Sequence, residues 1–448
     1  MKQSKVIVNP EDSPIVFKSA EINEGSDLTY LLPYLENSGI KIIQRDNKVF
    51  VRKKINGTYY DTLFENDIDF FKELAKTRIK NNFSNFNRSF ELNEGDWKTI
   101  RESITTVSLI FTKKCNFKCK VCYAYGVLKP EEMSIDDIKL IFSKIGKNKK
   151  ILLFGLEPTA REDLFEIIKT INEYNNFPAL FTNGLRLSEL AYVKKLKKAG
   201  IKEVFISFDG FGKEASKKIV SPTIQKSKLK ALKNLKKCGI YTFPAFKFME
   251  GKDENELSEL IRFAIKNNDF IKGLFLLPLA PFGKLEVKQK QFFTYSDIIK
   301  SLIKSGLVNC DERYFSEYEK LKLNLYKILK NFGKEISIGS YLMTVPFKIE
   351  NGVLKELIDT KDLIKVNSDF ERGNFPGLLK HSVKFAKFRK FLINPAEFYY
   401  ELLNKGIIYI ILYNLVTDFN YIPFHTNIAT LIKEKVGENG TKFTVNCT

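Results

Sequence analysis

Lys114-Cys-Asn-Phe-Lys-Cys-Lys-Val-Cys-Tyr123 sets Cys115, Cys119 and Cys122 at Cys-x3-Cys-x2-Cys, on a loop that leaves the apolar run Thr106-Val-Ser-Leu-Ile-Phe111. Three thiolates held that closely fit three corners of a cubic iron-sulfur cluster. The fourth iron then lacks a protein ligand, and an open position on a metal centre is where a substrate or cofactor binds. Two plainer readings compete. A structural zinc site wants four ligands, and neither a fourth cysteine nor a histidine lies nearby, the two histidines being His381 and His425. Disulfides would leave one of the three cysteines odd. Six cysteines in 448 residues, with no apolar stretch after Met1-Lys-Gln-Ser-Lys, read as a cytoplasmic chain. The cluster is the preferred reading, and the chain beyond the loop strengthens it.

From Thr105 the sequence alternates strand and helix for some 180 residues. Strands are expected at Thr106 to Phe111, Lys150 to Phe154, Ala179 to Thr182, Glu203 to Phe208, Tyr241 to Phe246 and Gly273 to Leu277. The stretches between them, Ser134 to Lys147, Arg161 to Tyr174, Ser188 to Lys198, Thr223 to Lys237 and Asn255 to Lys266, carry helical periodicity. Near-continuous apolar strands separated by such helices argue for a parallel sheet, and six βα units for a partial barrel. Active sites of parallel barrels are built at the carboxyl ends of the strands. There the chain places the cysteine loop, then Gly155-Leu156-Glu157-Pro158, then Thr182-Asn183-Gly184, then Ser207-Phe208-Asp209-Gly210. Gly155 allows close backbone approach, Glu157 suits an ammonium group, and Asn183, Ser207 and Asp209 suit ribose hydroxyls. Glycine and asparagine after a strand are ordinarily turn formers. Their joint arrival at successive strand ends behind a cysteine triplet is the informative feature.

Ahead of this region, Lys41 to Gln44, Val49 to Arg52 and Tyr59 to Leu63 read as three short strands joined at Asp46-Asn47 and Asn56-Gly57, and a helix starts near Asn66. The expected division is an N-terminal hairpin and helix module over 1–95, the barrel over 96–290 and an α+β extension over 291–448. The run Ile407 to Leu412 is too short to span a bilayer and reads as a buried strand. Lys+Arg of 73 against Asp+Glu of 53 gives a net charge of +20. The lysines are scattered over nearly every helix, without the aromatic interleaving or arginine clusters of a nucleic-acid reader. They suit a solvated surface, an acidic electron donor or peripheral contact with an anionic membrane.

These residues resemble the radical S-adenosylmethionine (SAM) superfamily. Gly155-Leu156-Glu157-Pro158 is similar to its Gly-Gly-Glu-Pro element, with Leu156 replacing the second glycine. The residue before the last cysteine, often aromatic there and packed near adenine, is Val121 here, with Tyr123 just after. Thr182 to Leu187, Phe208 to Gly210, Lys252 to Leu257 and Pro278 to Lys284 are similar in order and spacing to the group of tetraether lipid synthase and related pterin methyltransferases. The hairpins from Ile40 to Asp67 and the segment Phe293 to Lys300 are similar to segments of that group that accompany additional metal centres. This chain has no cysteine in the corresponding hairpins, and Cys238, Cys310 and Cys447 stand isolated.

The resemblance implies an α/β fold, a partial (β/α)6 TIM-like barrel. It implies a [4Fe-4S] cluster on Cys115, Cys119 and Cys122, and SAM held by Tyr123, Gly155, Leu156, Glu157, Pro158, Asn183, Ser207 and Asp209. It further implies reduced ferredoxin or flavodoxin as electron donor and hydrogen abstraction from an unactivated carbon, leading to carbon-carbon bond formation on a lipid-like substrate. Methylation or other modification of a small heterocycle or peptide is the alternative among enzymes. A cluster-binding accessory protein without turnover is the alternative outside them.

Overall fold

The computed structural model describes residues 16–19, 26–31, 40–55, 58–76, 98, 101–102, 106–112, 114–122, 132–212, 222–249, 254–279, 284–285, 292–331, 342–373 and 403–413. Tyr123, the Asn56-Gly57 turn, both histidines and Cys447 lie outside these residues.

The N-terminal module is a five-stranded antiparallel sheet in the order β1-β5-β4-β3-β2, built from β1 (Val16–Ser19), β2 (Ser26–Asp27), β3 (Ile40–Arg45), β4 (Lys48–Ile55) and β5 (Thr58–Glu65). The three expected strands are its centre, and two short edge strands from the preceding segment complete it. The β3-β4 turn carries Asp46 at φ 51°, a conformation that Asp tolerates. Helix α1 (Ile68–Lys76) buries Ile68, Phe71, Leu74 and Ala75 on one face. Arg52, 1% exposed, pairs with the fully buried Asp61 at 2.7 Å.

The second sheet has ten strands in the order β14-β16-β15-β17-β12-β11-β10-β9-β8-β6. Its parallel part runs through β6 (Thr106–Thr112), β8 (Lys150–Gly155), β9 (Phe177–Thr182), β10 (Glu203–Ser207), β11 (Tyr241–Phe248) and β12 (Gly273–Pro278). Helices α2 (Ile135–Ile145), α3 (Leu164–Glu173), α4 (Leu190–Ala199), α5 (Pro222–Lys237) and α6 (Glu254–Lys266) alternate with these strands. The six expected strands are all present, and the apolar run near 407 adds a seventh: β17 (Ile407–Tyr413) lies parallel to β12, with Gly273 opposite Tyr409. Beyond β17 the sheet continues antiparallel through β15 (Leu342–Glu350) and β16 (Val353–Glu356) to the short β14 (Val308–Asn309). The outermost strands are β6 and β14, so the sheet is open, a partial barrel. Helices α7 (Tyr295–Lys304), α8 (Arg313–Asn331) and α9 (Thr360–Glu371) belong to the C-terminal part.

Alternation along the parallel strands sorts side chains into two cores, as expected of strands buried on both faces. Leu109, Leu153, Leu180, Ile206, Leu276 and Leu412 pack outward with the helices. Phe205, Phe243, Phe275, Tyr409 and Ile411 fill the concave side, with Leu152, Phe181, Leu277 and Tyr413 packed against them. Phe205 stacks on Phe243 at 4.8 Å between centroids and meets Phe275 edge-on at 5.8 Å. The barrel interior is thus an aromatic floor beneath the strand ends.

Candidate functional site

The cysteine loop leaves β6 at its carboxyl end, as the sequence indicates. Along it, Cys115, Phe117 and Cys119 are half-buried and Val121 is buried, whereas Lys114, Asn116, Lys118 and Lys120 are exposed. Cys115 and Cys119 therefore turn to the protein side and the lysines to solvent. The loop returns as β7 (Val121–Cys122), which pairs antiparallel with β13 (Lys284–Leu285), so Cys122 sits opposite Lys284. The Phe117 N–H donates to Cys115 Sγ at 3.4 Å. At the loop's start Lys114 pairs with Glu132 at 2.7 Å, and Thr112 Oγ1 donates to the same carboxylate at 2.9 Å. Burial pushes the Cys115 thiol up to about 11, against the lowering effect of the Phe117 N–H. Burial also raises Cys119, and the Lys247 ammonium is the foremost charge that opposes it.

Strand β8 ends directly beside this loop. Gly155 has φ 142°, and a Cβ there would lie 2.5 Å from Thr112 O, so only glycine fits. Leu156 meets the same carbonyl through its backbone, its N–H donating to Thr112 O at 3.3 Å. The contact that Leu156 makes to Thr112 is a main-chain one and does not depend on its side chain. The Glu157 N–H donates to Lys114 O at 2.9 Å.

The Glu157 side chain is fully buried. Its Oε1 accepts from Thr159 N–H (3.0 Å), Thr159 Oγ1 (2.5 Å) and Thr182 Oγ1 (2.6 Å), and its Oε2 from Asn183 N–H (2.7 Å). Burial raises its pKa while these donors pull it back. Pro158, also buried, opens the short turn Pro158–Ala160 that Glu157 caps. Four protein donors thus surround the carboxylate that the sequence offers to an ammonium group, and Glu157 joins the ends of β8 and β9. Asn183 Nδ2 donates to Asn116 Oδ1 at 2.7 Å, which ties β9 to the cysteine loop.

Ser207 ends β10 half-buried on the concave face. Asp209, 1% exposed, lies just beyond. Lys228 Nζ on α5 is 2.6 Å from its Oδ2, and Lys247 Nζ on β11 is 4.0 Å from its Oδ1. Sequence reasoning missed both lysines, although each carries a signal. Lys228 stands on the buried stripe of α5, three, four and seven residues before Ala231, Leu232 and Leu235. Lys247 shares strand parity with the inward-facing Phe243 and Ala245. Around the mouth Phe154, Phe181, Leu277 and Tyr413 are half-buried, with Phe154 edge-on to Phe181 at 5.4 Å.

Among the described residues no three His, Cys, Asp or Glu side chains converge on one point as the ligands of a single ion do. A cubic cluster asks for a wider arrangement, because each thiolate binds a separate iron. Two half-buried loop thiols turned inward with Cys122 beside them, and a glycine that brings β8 against the loop's root, fit a three-cysteine cluster with one open iron.

A family model for the Radical SAM superfamily matches residues 109–264, which takes in the cysteine loop and the carboxyl ends of β8, β9, β10 and β11. The chain is 26% identical over 270 residues to 7,8-dihydro-6-hydroxymethylpterin dimethyltransferase of Methanocaldococcus jannaschii, a match covering 55% of this chain and 51% of that protein. It is 31% identical over 213 residues to a probable GTP 3',8-cyclase of Pyrococcus horikoshii, covering 42% of this chain and 67% of the cyclase. The chain therefore spans about half the length of the first relative and two thirds of the second. Among solved structures, methylornithine synthase (PylB) aligns over 48% of this chain and 74% of its own length, at 13% identity and a TM-score of 0.38. The cysteine loop, the open parallel sheet, the family model and the match to the cyclase together place the chain in the radical SAM superfamily, enzymes that work with a [4Fe-4S] cluster and S-adenosylmethionine.

Proposed function

We propose that this chain removes a hydrogen atom from a carbon of a flat heteroaromatic substrate bound against the aromatic mouth of the barrel, as the first step of methylation or another carbon-carbon bond formation. The observation that carries this reading is the aromatic cluster on the concave face, where Phe154, Phe181, Phe205, Phe243 and Phe275 lie together with Leu277 and Tyr413 packed beside them. Aromatic walls hold planar rings by stacked and edge-on contacts worth about 0.5–1.5 kcal/mol each beyond area burial. The pterin named for one relative and the guanine base of the GTP named for another are fused-ring nitrogen heterocycles. When bound, the cluster and SAM supply a carbon-centred radical by reductive cleavage of SAM. Cys115, Cys119 and Cys122 would hold the cluster, and the electron comes from a small reductant such as a flavodoxin or ferredoxin. Gly155, Leu156, Glu157, Pro158, Asn183, Ser207 and Asp209 would present backbone and polar groups to SAM, with Tyr123 next to the last cysteine in sequence. Glu157 and Asp209 also tie the strand ends together through their own hydrogen-bond and ion-pair partners.

A lipid-like substrate is the second reading, favoured by the apolar character of the same mouth. No helix among the described residues is long and apolar enough to cross a membrane.

The test is anaerobic reconstitution with iron and sulfide, reduction, and chromatography for 5′-deoxyadenosine, with and without a dihydropterin or an isoprenoid lipid. Formation that rises with the pterin supports the heterocycle reading, and a rise with the lipid alone supports the second. A fully loaded cluster that yields no 5′-deoxyadenosine under any condition leaves only the accessory-protein reading. Cys119→Ala protein that retains full iron content would remove Cys119 from the ligand set.

A further inference from the structure

The seam between the N-terminal sheet and α7 contains a buried carboxyl. Glu65, 2% exposed at the end of β5, has its Oε1 at 2.5 Å from Thr294 Oγ1, 2.5 Å from Ser296 Oγ and 2.8 Å from the Asn66 N–H. Among the described residues, the charged groups that face this seam are Asp297 on α7 and the pair Lys300–Asp67, 2.8 Å apart. Asp297 Oδ2 accepts from Thr294 N–H (2.8 Å) and Asn66 Nδ2 (2.7 Å), and lies 2.8 Å from Thr294 Oγ1.

Counting protons assigns these contacts. Thr294 Oγ1 touches two carboxyl oxygens but has one hydrogen to give. One contact is a hydrogen bond only if the carboxyl itself brings a proton. Asp297 already receives two N–H groups at the N-terminus of α7, where negative charge is favoured, so the extra proton is assigned to the buried Glu65. Glu65 then carries the proton and donates it to Thr294 or Ser296.

The seam leads to the cysteine loop through packed side chains. Asn66 Nδ2 also donates to Phe292 O at 3.1 Å. Phe292, Phe50 on β4 and Leu63 on β5 form one buried cluster with Val121, Met249 and Leu279. Val121 is the residue before Cys122.

We propose that Glu65 is a positioning residue for the cysteine loop: with its carboxyl protonated it seats the N-terminal sheet on α7 and keeps Phe50, Leu63 and Phe292 against Val121, and its ionisation loosens that seat. Burial, with the nearby Asp297 charge adding to it, lifts this carboxyl from 4.5 to about 7. A carboxyl raised on folding contributes stability that is complete below its ordinary range and lost as pH rises toward the folded value. The seat is therefore tight at pH 5 and loose at pH 8.

The experiment is hydrogen exchange by mass spectrometry on the full cofactor-free chain at pH 5 and pH 8, with rates corrected for the intrinsic pH dependence of exchange. Segments 58–76, 116–122 and 292–300 are expected to open about 100-fold more at pH 8, tenfold for each unit between pH 5 and the folded value near 7. In Glu65→Gln, whose amide keeps a donor and an acceptor at all pH values, the three segments should show no such change. In Val121→Ala, residues 58–76 should keep their pH response while residues 116–122 lose it. Equal wild-type protection at both pH values overturns the proposal, as does a pH response that survives in Glu65→Gln. A response in 58–76 without one in 116–122 of the wild type overturns the link to the cysteine loop. None of these readouts requires turnover or a substrate, so they are independent of the reaction proposed above.

Discussion

Asn183 Nδ2 and Asn116 Oδ1 are 2.7 Å apart, so the end of β9 and the cysteine loop, 67 residues apart in sequence, are joined by one exposed side-chain hydrogen bond. Asn183 Oδ1 in turn accepts from the Leu185 N–H at 3.0 Å, which fixes the turn that follows. A neutral hydrogen bond contributes about 0.5–1.5 kcal/mol, and an exposed one lies at the low end. Asn183→Ala should therefore barely change the unfolding midpoint yet speed amide exchange in residues 114–119. A large loss of global stability with unchanged loop exchange would show that Asn183 acts on the core and not on the loop.

Gly155 makes the opposite prediction. Its φ of 142° and the 2.5 Å that a Cβ would leave to Thr112 O allow no side chain without moving β6 or β8. Backbone strain of this kind costs about 1–3 kcal/mol, and the clash with a carbonyl adds to it. Gly155→Ala should lower the unfolding free energy by at least that amount in urea titration and reduce iron uptake on reconstitution. Leu156→Gly should leave folding intact, because the contact there is made by the main chain; a Leu156→Gly chain that fails to load iron would refute that account.

The two lysines around Asp209 should separate cleanly. Lys228 is 2% exposed and 2.6 Å from Asp209, whereas Lys247 is 24% exposed at 4.0 Å. Removing one partner of a buried ion pair costs about 3–5 kcal/mol because the other charge is stranded. Lys228→Met should lose stability on that scale, and Lys228→Met with Asp209→Leu should regain most of it in a double-mutant cycle. Lys247→Met should cost no more than about 1 kcal/mol, as expected of a partly exposed pair. Equal losses for the two lysines would contradict this division.

The barrel and the strand-end positions were legible because they depend on local pattern. Apolar runs such as Lys150 to Phe154, helical periodicity and glycine after a strand are all written within short windows. What required non-local pairing was not legible. The run at 407–412 reads correctly as a strand, yet nothing in it indicates that it lies beside β12 as a seventh parallel strand. Glu157 reads as a ligand from its motif alone, since its partners Thr182 and Asn183 lie at the end of another strand. Lys228 hides in a lysine-rich helix, where one buried position differs from its exposed neighbours only in phase. Glu65 has no sequence signal, because its partners Thr294 and Ser296 lie 229 and 231 residues away.

Glu157 provides the last prediction. The carboxylate accepts three hydrogen bonds on Oε1 and one on Oε2. An amide in its place can keep its oxygen where Oε1 stands, and its NH2 then confronts the Asn183 N–H, donor against donor, in a fully buried site. Leaving one buried donor unsatisfied costs about 1–3 kcal/mol, so Glu157→Gln should lose stability in that range, and Glu157→Ala, which strands every donor, should lose more. The pH dependence separates this from a simple packing defect. Burial holds the Glu157 carboxyl above its ordinary value of 4.5, so its contribution is greatest in acid and is lost as pH rises through the folded value. Urea titrations from pH 4.5 to 8 should show the gap between wild type and Glu157→Gln narrowing with rising pH. A gap that widens instead would mean that the four donors outweigh desolvation and hold the carboxyl below its ordinary value.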